Sequence, residues 1–252
     1  MKFLELRSDG NALRGCVHEP SGEPKSFPII IAHGYFSANR IGPQRLFVNL
    51  SNYLCQKGYY VYRFDFSGMG ESDGDISTIK FSNHVKDLQA IIEYVQARHQ
   101  LNKVIVVAHC LGCNVTLSQV LDSPNCFREV IFLAPFYSNQ IILENFFGKQ
   151  KLEQLSQLKH VYRKGLYADY SFFAENTQTA FINSVNNTPI TINAILPEDD
   201  QFIPLECNNE TFRQAQRANV IRMKNADHNF LETQRKLLDL IWELLEDEKY
   251  TA

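Results

Sequence analysis

Short apolar runs rich in β-branched and aromatic residues alternate with helical patterns along the chain, and this alternation constrains the fold most. The runs lie at 29–32, 59–64, 104–108, 130–133, 190–195 and 220–223. Between them, apolar residues recur at helical spacing, for example at Leu46, Leu50, Tyr53 and Leu54 and at Val85, Leu88, Ile91, Ile92 and Val95. Continuous apolar strands separated by helices are typical of a parallel sheet covered on both faces. The pattern therefore predicts an α/β fold with a mostly parallel central sheet.

The ends of the chain and one long insertion complete this prediction. Segments 3–6 and 13–18 favour an antiparallel hairpin at the sheet edge, and apolar spacing predicts a last helix over 230–246. Between 136 and 189 the strand signals vanish and helical spacing replaces them. An insertion of that length between core strands is usually a lid over a site, and an extra helical pair without such a role is the alternative. We expect one α/β domain over 1–252, with 136–189 as the lid.

Composition removes several other classes of protein. The 252 residues are 44% hydrophobic and 21% charged with a net charge of −3, so disorder and nucleic-acid binding are disfavoured. The sequence has no apolar run long enough to span a membrane, and its N-terminus lacks the apolar core of a secretion signal. We therefore expect a cytoplasmic protein whose six cysteines are mostly thiols.

The segment Ala108-His109-Cys110-Leu111-Gly112 follows an apolar strand and opens a helix. Small residues two places before and after Cys110 let the chain make the sharp turn of a nucleophile elbow. The helix N-terminus that follows favours a thiolate over a thiol at Cys110. These residues resemble the nucleophile box of the α/β-hydrolase superfamily, with a cysteine where most members carry serine.

Three further segments are similar to motifs of the same superfamily, in the same order. His33-Gly34 resembles its strand-to-loop motif, and the resemblance implies an oxyanion hole formed by the backbone amides of Tyr35 and Leu111. Asp65-Phe66-Ser67-Gly68-Met69-Gly70-Glu71-Ser72 is similar to a turn that we expect to be structural rather than catalytic. The spacing of its glycines does not fit a dinucleotide-binding fingerprint.

The last two motifs supply the rest of a catalytic triad. Segment 197–204 resembles the acid loop and places the acid at Asp200, with Asp199 as a competitor; segment 225–230 resembles the histidine loop and places the base at His228. In this prediction His228 takes the proton of Cys110 and Asp200 holds the imidazole. The other histidines are predicted to be non-catalytic, and His109 to point away from the thiol.

Cys110-x-x-Cys113 also permits a redox dithiol, although no thioredoxin pattern surrounds it. The sequence has no second such pair and no paired histidines, so we predict no metal and no cofactor.

A cysteine nucleophile favours acyl chemistry through a thioester acyl-enzyme. We expect a hydrolase or acyltransferase acting on a small-molecule ester or thioester, which coenzyme A or a carrier protein could carry. Two alternatives stay open: a lyase that uses His228 as a base, and a non-catalytic binding protein of the same fold. Aromatic residues of the insertion could line an acyl pocket or pack the lid, and its lysines could contact an anionic carrier or form a solvated face. The aromatic residues are Phe146, Phe147, Tyr162, Tyr167, Tyr170, Phe172 and Phe173, and the basic residues are Lys149, Lys151, Lys159, Arg163 and Lys164.

Overall fold

The fold is taken from a computed structural model, which describes residues 1–34, 39–158, 160–163 and 166–246. Strands β1–β10 span Lys2–Ser8, Asn11–His18, Ile29–Ala32, Val61–Phe64, Val104–His109, Phe127–Leu133, His160–Arg163, Leu166–Asp169, Ile192–Pro197 and Ala218–Met223. Helices α1–α9 span Leu46–Gln56, Phe81–His99, Gly112–Asp122, Gln140–Phe147, Lys149–Leu158, Tyr170–Glu175, Gln178–Asn187, Leu205–Arg213 and Gln234–Glu246.

Within the described ranges the main sheet has eight strands in the order β1-β2-β4-β3-β5-β6-β9-β10. β1 pairs antiparallel with β2, and β2 pairs antiparallel with β4. The pairs from β4 to β10 are all parallel. The predicted mostly parallel sheet with an antiparallel hairpin at its edge is confirmed.

Alternation along the buried strands sends side chains to both faces of the sheet. In β3, Ile30 packs in a core with helices α2 and α3, whereas Ile29 and Ile31 pack in a second core with α1 and α9. Since strand side chains alternate with a period of two, a strand buried on both faces is apolar at every position. The continuous apolar runs of the sequence follow from this double burial.

Two features of the secondary structure differ from the prediction: the start of α9 and the elements of the insertion. α9 begins at Gln234 rather than at residue 230, because Phe230 has a φ of 55° and its amide closes a turn on the Asp227 carbonyl. The insertion also contains strands, since β7 and β8 form a two-stranded antiparallel sheet. The prediction of helical spacing throughout 136–189 is therefore wrong at Val161 and Tyr162, which lie in β7, because β-branched and aromatic residues fit strands better.

Parallel pairing brings the carboxyl ends of β3, β5, β9 and β10 to one edge of the sheet. His33, Cys110, Asp200 and His228 follow these four strands, so residues far apart in sequence are placed side by side. Open α/β sheets bind their ligands at such an edge.

Candidate active site

Cys110 lies in a strained turn between β5 and α3. Its φ is 56°, a left-handed conformation that non-glycine residues rarely adopt, and its amide donates to the Leu133 carbonyl at 3.0 Å. A Cβ at Gly112 would lie 2.5 Å from the His33 carbonyl oxygen, so the start of α3 approaches the end of β3 as closely as only glycine permits. The local geometry is that of the predicted elbow, with the thiol held above the sheet at a helix N-terminus.

The Cys110 thiol, the His228 imidazole and the Asp200 carboxylate form a chain of contacts. The His228 ring is hydrogen-bonded to Cys110 on one side, and its Nδ1 lies 2.7 Å from Asp200 Oδ2 on the other. Asp200 Oδ1 accepts the amides of Phe202 and Ile203 at 2.8 and 2.9 Å. Because these bonds fix the carboxylate, the ring orientation of His228 is fixed as well.

The neighbouring acid does not take part in this chain of contacts. Asp199 is exposed and its backbone amide donates to the Ala226 carbonyl, whereas Asp200 is buried against His228. Of the two acids that the sequence left open, the structure brings Asp200 to the histidine.

The charge of His228 depends on its two partners. Burial lowers the pKa of His228, but the negative charge of Asp200, that of Cys110 when it is ionised, and a hydrogen bond to each raise it to about 10. A pKa of about 10 favours the protonated ring at neutral pH. The ring lies between the Asp200 carboxylate and the Cys110 sulfur.

The loop after β3 reaches Cys110. A Cβ at Gly34 would lie 2.8 Å from the Cys110 Cβ, so the backbone passes directly beside the thiol. Burial lowers the pKa of His33 to about 4, so its ring is neutral; Nδ1 donates to the Gly34 carbonyl at 2.7 Å and Nε2 accepts the Phe66 amide at 3.0 Å. His33 thus fixes the start of the loop that the sequence assigned to an oxyanion hole. Of the two predicted oxyanion donors, Leu111 follows Cys110 directly, and Tyr35 lies outside the described residues.

This close approach makes Gly34→Ala an informative variant. The added methyl group must displace the Cys110 side chain, and overpacking of this kind costs about 1–3 kcal/mol. We expect folding to survive with a lowered melting temperature, and the rate of Cys110 alkylation by iodoacetamide to fall by about tenfold or more. Gly22→Ala is the matched control, since a Cβ there meets nothing within 4 Å. An unchanged alkylation rate in Gly34→Ala would show that the loop does not restrain the thiol.

The turn after β4 is held by contacts of its own. Asp65 accepts the amides of Arg40 and Glu71 at 2.6 and 3.0 Å and pairs with the Arg40 guanidinium. Ser72 donates to the Asp65 carbonyl at 2.6 Å. These bonds give Asp65 and Ser72 the structural role that their motif suggested.

Cys113 points away from solvent and into the fold. Its Sγ donates to the Ala108 carbonyl at 3.3 Å, and burial raises its pKa well above that of an ordinary thiol. All six cysteines are free. A buried thiol that donates to the backbone is a poor partner for thiol–disulfide exchange, which argues against a dithiol at Cys110 and Cys113.

Aromatic side chains connect the insertion to His228. Phe146 of α4 packs on Phe202 with ring centroids 5.2 Å apart, and Phe202 contacts the His228 ring edge-to-face, also at 5.2 Å. Phe136 adds a further contact with Phe146. Only 6% of Cys110 and 4% of His228 is exposed, so the site is closed. Among the aromatic residues predicted for a pocket, Phe147 and Phe173 are buried in this cluster, Tyr170 is exposed, and the side chains of Tyr162, Tyr167 and Phe172 lie outside the described part.

His109 belongs to the site, although the sequence gave it no part in it. Its ring lies 5.2 Å from that of His228, and its Nε2 donates to the His228 carbonyl at 3.0 Å. The only signal in the sequence was its position next to the nucleophile, which does not reveal a contact with a residue 119 positions away.

Comparison with known proteins gives a family and a fold. The sequence model of the family described as serine aminopeptidase, S33, matches residues 25–194, well over half of the chain. The match contains Cys110 and ends before Asp200 and His228. Est1E from Butyrivibrio proteoclasticus with bound ferulic acid shares the fold with a TM-score of 0.80 at 16% identity, covering 96% of this chain and 97% of that one. An α/β-hydrolase domain-containing protein from mouse has a TM-score of 0.75 at 19% identity, covering 98% and 99%. The predicted α/β-hydrolase fold is confirmed.

Curated relatives are more distant and longer. A lysophosphatidylserine lipase of Xenopus tropicalis is 29% identical over 78% of this chain and 49% of its own length. A probable lysophospholipase of Arabidopsis thaliana is 26% identical over 52% of this chain and 28% of its own length. The chain spans about half or less of the length of the curated relatives it matches.

The described ranges contain neither a membrane-spanning helix nor a cluster of metal ligands. Their helices are too short or too polar to cross a bilayer. No three histidine, cysteine or carboxylate side chains of these ranges converge to hold a metal ion.

Proposed function

Because the chain belongs to the serine aminopeptidase S33 family of α/β hydrolases, we propose that it transfers acyl groups from esters or thioesters with Cys110 as the nucleophile. The acyl group passes through a thioester on Cys110, and its final acceptor is water, an amine, an alcohol or a thiol. The observation that carries the proposal is the chain of contacts from the Cys110 sulfur through the His228 ring to Asp200.

The first half of the reaction begins with the thiolate. Cys110 Sγ attacks the substrate carbonyl carbon, a C–S bond forms, and the carbonyl electrons move to oxygen. The Leu111 amide donates to this oxyanion, and the family resemblance implies the Tyr35 amide as a second donor. One such donor is worth about 3 kcal/mol of barrier. Collapse expels the alcohol or thiol, which takes a proton from the His228 imidazolium. The products are the thioester acyl-enzyme and a neutral imidazole.

The second half of the reaction depends on the loss of negative charge at Cys110 in the first half. Two of the effects that raise the pKa of His228 come from Cys110, its negative charge and its hydrogen bond. Acylation removes the charge, so the pKa of His228 falls while Asp200 still holds the ring. The neutral ring takes a proton from the acceptor as it attacks the thioester carbonyl. The C–S bond then breaks, which releases the acylated acceptor and restores the Cys110 thiolate facing the His228 imidazolium. The same residue is an acid in the first step and a base in the second.

The high pKa of His228 argues against the lyase alternative. A lyase needs His228 as a neutral base toward a carbon acid in the resting enzyme. A pKa of about 10 keeps the ring protonated at neutral pH. The binding-protein alternative is disfavoured because nucleophile, base and acid are all in contact.

The insertion at 136–189 is proposed as a lid, and its aromatic cluster as the acyl-binding surface. Phe136, Phe146, Phe147 and Phe173 belong to the same buried apolar cluster as Cys110, and Phe202 joins this cluster to the His228 ring. Such a surface suits an apolar acyl chain or ring rather than a charged one. Since the site is closed, the lid must open for a substrate to enter, and a closed lid would protect the acyl-enzyme from water.

Intact-protein mass spectrometry tests the proposal. The chain is incubated with p-nitrophenyl esters and coenzyme A thioesters of increasing acyl length, beside Cys110→Ala and His228→Ala. We expect one added acyl mass in the native chain and none in Cys110→Ala. Decay of this adduct in water, compared with decay after adding amines, alcohols or thiols, separates hydrolase from acyltransferase.

Two results would contradict the proposal. Substrate consumption that Cys110→Ala retains would move the assignment to a lyase or another nucleophile. Neither an adduct nor consumption with any donor would favour a binding protein. A coenzyme A thioester that reacts no faster than the matched simple thioester would remove the carrier from the substrate class.

A further inference from the structure

His109, the residue before Cys110, contacts the loop that carries His228. It donates from Nε2 to the backbone carbonyl of His228 at 3.0 Å, and the two rings lie 5.2 Å apart. The other side of its ring packs edge-on against Phe47 of α1, with ring centroids 5.8 Å apart. His109 is 4% exposed, so the contact is shielded from water.

The hydrogen bonds define the protonation state of His109. A carbonyl oxygen only accepts, so Nε2 carries the proton. Nδ1 is buried and has no hydrogen-bond partner in the described part of the chain, so it is not protonated. Burial, and the positive charge of His228 beside it, lower the pKa of His109 to about 3. His228, Asp200 and His33 are the titratable groups that act on it most, and the ring is neutral among them.

This contact completes the restraint of the base. Asp200 holds the His228 ring at Nδ1, but a side-chain bond does not by itself fix the backbone that carries the ring. His228 lies in a loop whose residues Asn225 and Phe230 have positive φ values, outside regular structure. His109 holds this loop at the His228 carbonyl, and it is the last residue of β5, directly before Cys110. Base and nucleophile are thereby attached to the end of one buried strand.

We infer that His109 is a positioning residue that holds His228 at reacting distance from Cys110 through its Nε2–H···O=C hydrogen bond. The inference rests on the proposed function, since it gives His228 a part in the reaction. His109 touches neither substrate nor the reacting sulfur. It acts on the distance between the His228 ring and the Cys110 sulfur and on how well this distance is maintained.

Two substitutions separate the hydrogen bond from the space that the ring fills. His109→Phe keeps an aromatic ring between Phe47 and His228 but has no donor. His109→Gln places an amide N–H near the position of Nε2. The measurements are the pH profile of Cys110 alkylation by iodoacetamide, the single-turnover rate of acylation by a p-nitrophenyl ester, and the melting temperature.

We expect His109→Phe to lower the acylation rate by about tenfold to a hundredfold, as for displacements of about 1 Å in an active site. Its alkylation profile moves toward higher pH, because the thiolate loses part of its counter-charge. His109→Gln recovers most of both effects at a similar melting temperature. A wild-type pH profile and acylation rate in His109→Phe, or a His109→Gln that is no better, would overturn the inference and leave His109 as a packing residue.

A measurement on the native chain covers the case in which His109→Phe does not fold. Long-range ¹H–¹⁵N NMR of the histidine rings should show His109 as the Nε2–H tautomer without titration between pH 5 and 9. Titration in that range, or a proton on Nδ1, would contradict the hydrogen bond. Cys110→Ala distinguishes the two levels of the argument. If it keeps full turnover the proposed function fails, whereas its inactivity beside a fully active His109→Phe defeats only the positioning role.

Discussion

Cys110→Ser is expected to keep the fold and to lose most of the acyl-transfer rate, and Cys110→Ala to lose nearly all of it. In the proposed mechanism Cys110 attacks as a thiolate, and a protonated His228 faces it. A serine hydroxyl stays protonated at neutral pH, so His228 would have to remove its proton during the attack. Asp200 still raises the pKa of His228, and a protonated ring cannot act as a general base. Such assistance is worth about 10²–10⁴, so the serine variant should lose rate on that order. Removing a nucleophile altogether has cost about 10⁶ in kcat in a hydrolase with a comparable triad.

The measurement is the single-turnover rate of acylation for the native chain and both variants, with melting temperatures as the check on folding. Cys113→Ser is the matched control, since a hydroxyl there can keep the bond to the Ala108 carbonyl. We expect it to react like the native chain. A Cys110→Ser variant as fast as the native chain would mean that the sulfur has no special role. Loss of activity in Cys113→Ser, with the fold intact, would bring back the dithiol hypothesis.

The fold and the place of the site could be predicted because both depend on local patterns. A strand buried on both faces is apolar at every position, as Ile29, Ile30 and Ile31 illustrate. A turn as tight as that at Cys110 requires a residue such as Gly112 two places later. Parallel topology then brings the ends of the strands together, whatever the distance between them in sequence.

The contacts that the sequence missed join residues of different strands and loops. The bond from His109 to His228 joins residues 119 positions apart, and the ring contact of Phe202 with His228 joins two loops. Neither pair follows a helical or strand period, so no pattern in the sequence predicts these contacts. The choice of Asp200 over Asp199 was open for the same reason, because only the burial of one carboxylate against His228 decides it.

The aromatic contacts link the insertion to His228. Phe202 contacts His228 through its ring, while its backbone amide donates to Asp200. Phe146 of the insertion rests on the same ring. A movement of the insertion at Phe146 would therefore act on His228 through Phe202.

Asp200→Asn is expected to lower the acylation rate on the order of 10³–10⁴, as for the same change in the Ser-His-Asp triad. An asparagine can still accept the amides of Phe202 and Ile203, so the loop should stay in place. Its side-chain NH₂ would, however, donate to His228 Nδ1 and leave the ring proton on Nε2. That nitrogen then faces Cys110 as a donor and cannot take the thiol proton. Asp199→Asn is the control, since it removes the same charge from the exposed neighbour.

The pH dependence of Cys110 alkylation gives this prediction its sign. The charge of Asp200 is among the effects that raise the pKa of His228 to about 10, so losing it lowers that pKa and disfavours the imidazolium. Without the imidazolium the thiolate loses its counter-charge, and its formation shifts to higher pH. The native chain should therefore be alkylated rapidly at neutral pH, and Asp200→Asn only as pH approaches that of an ordinary thiol, about 8.5. If the profile of Asp200→Asn instead matched that of the native chain, the helix N-terminus alone would account for the thiolate, and Asp200 would act only on the orientation of the ring.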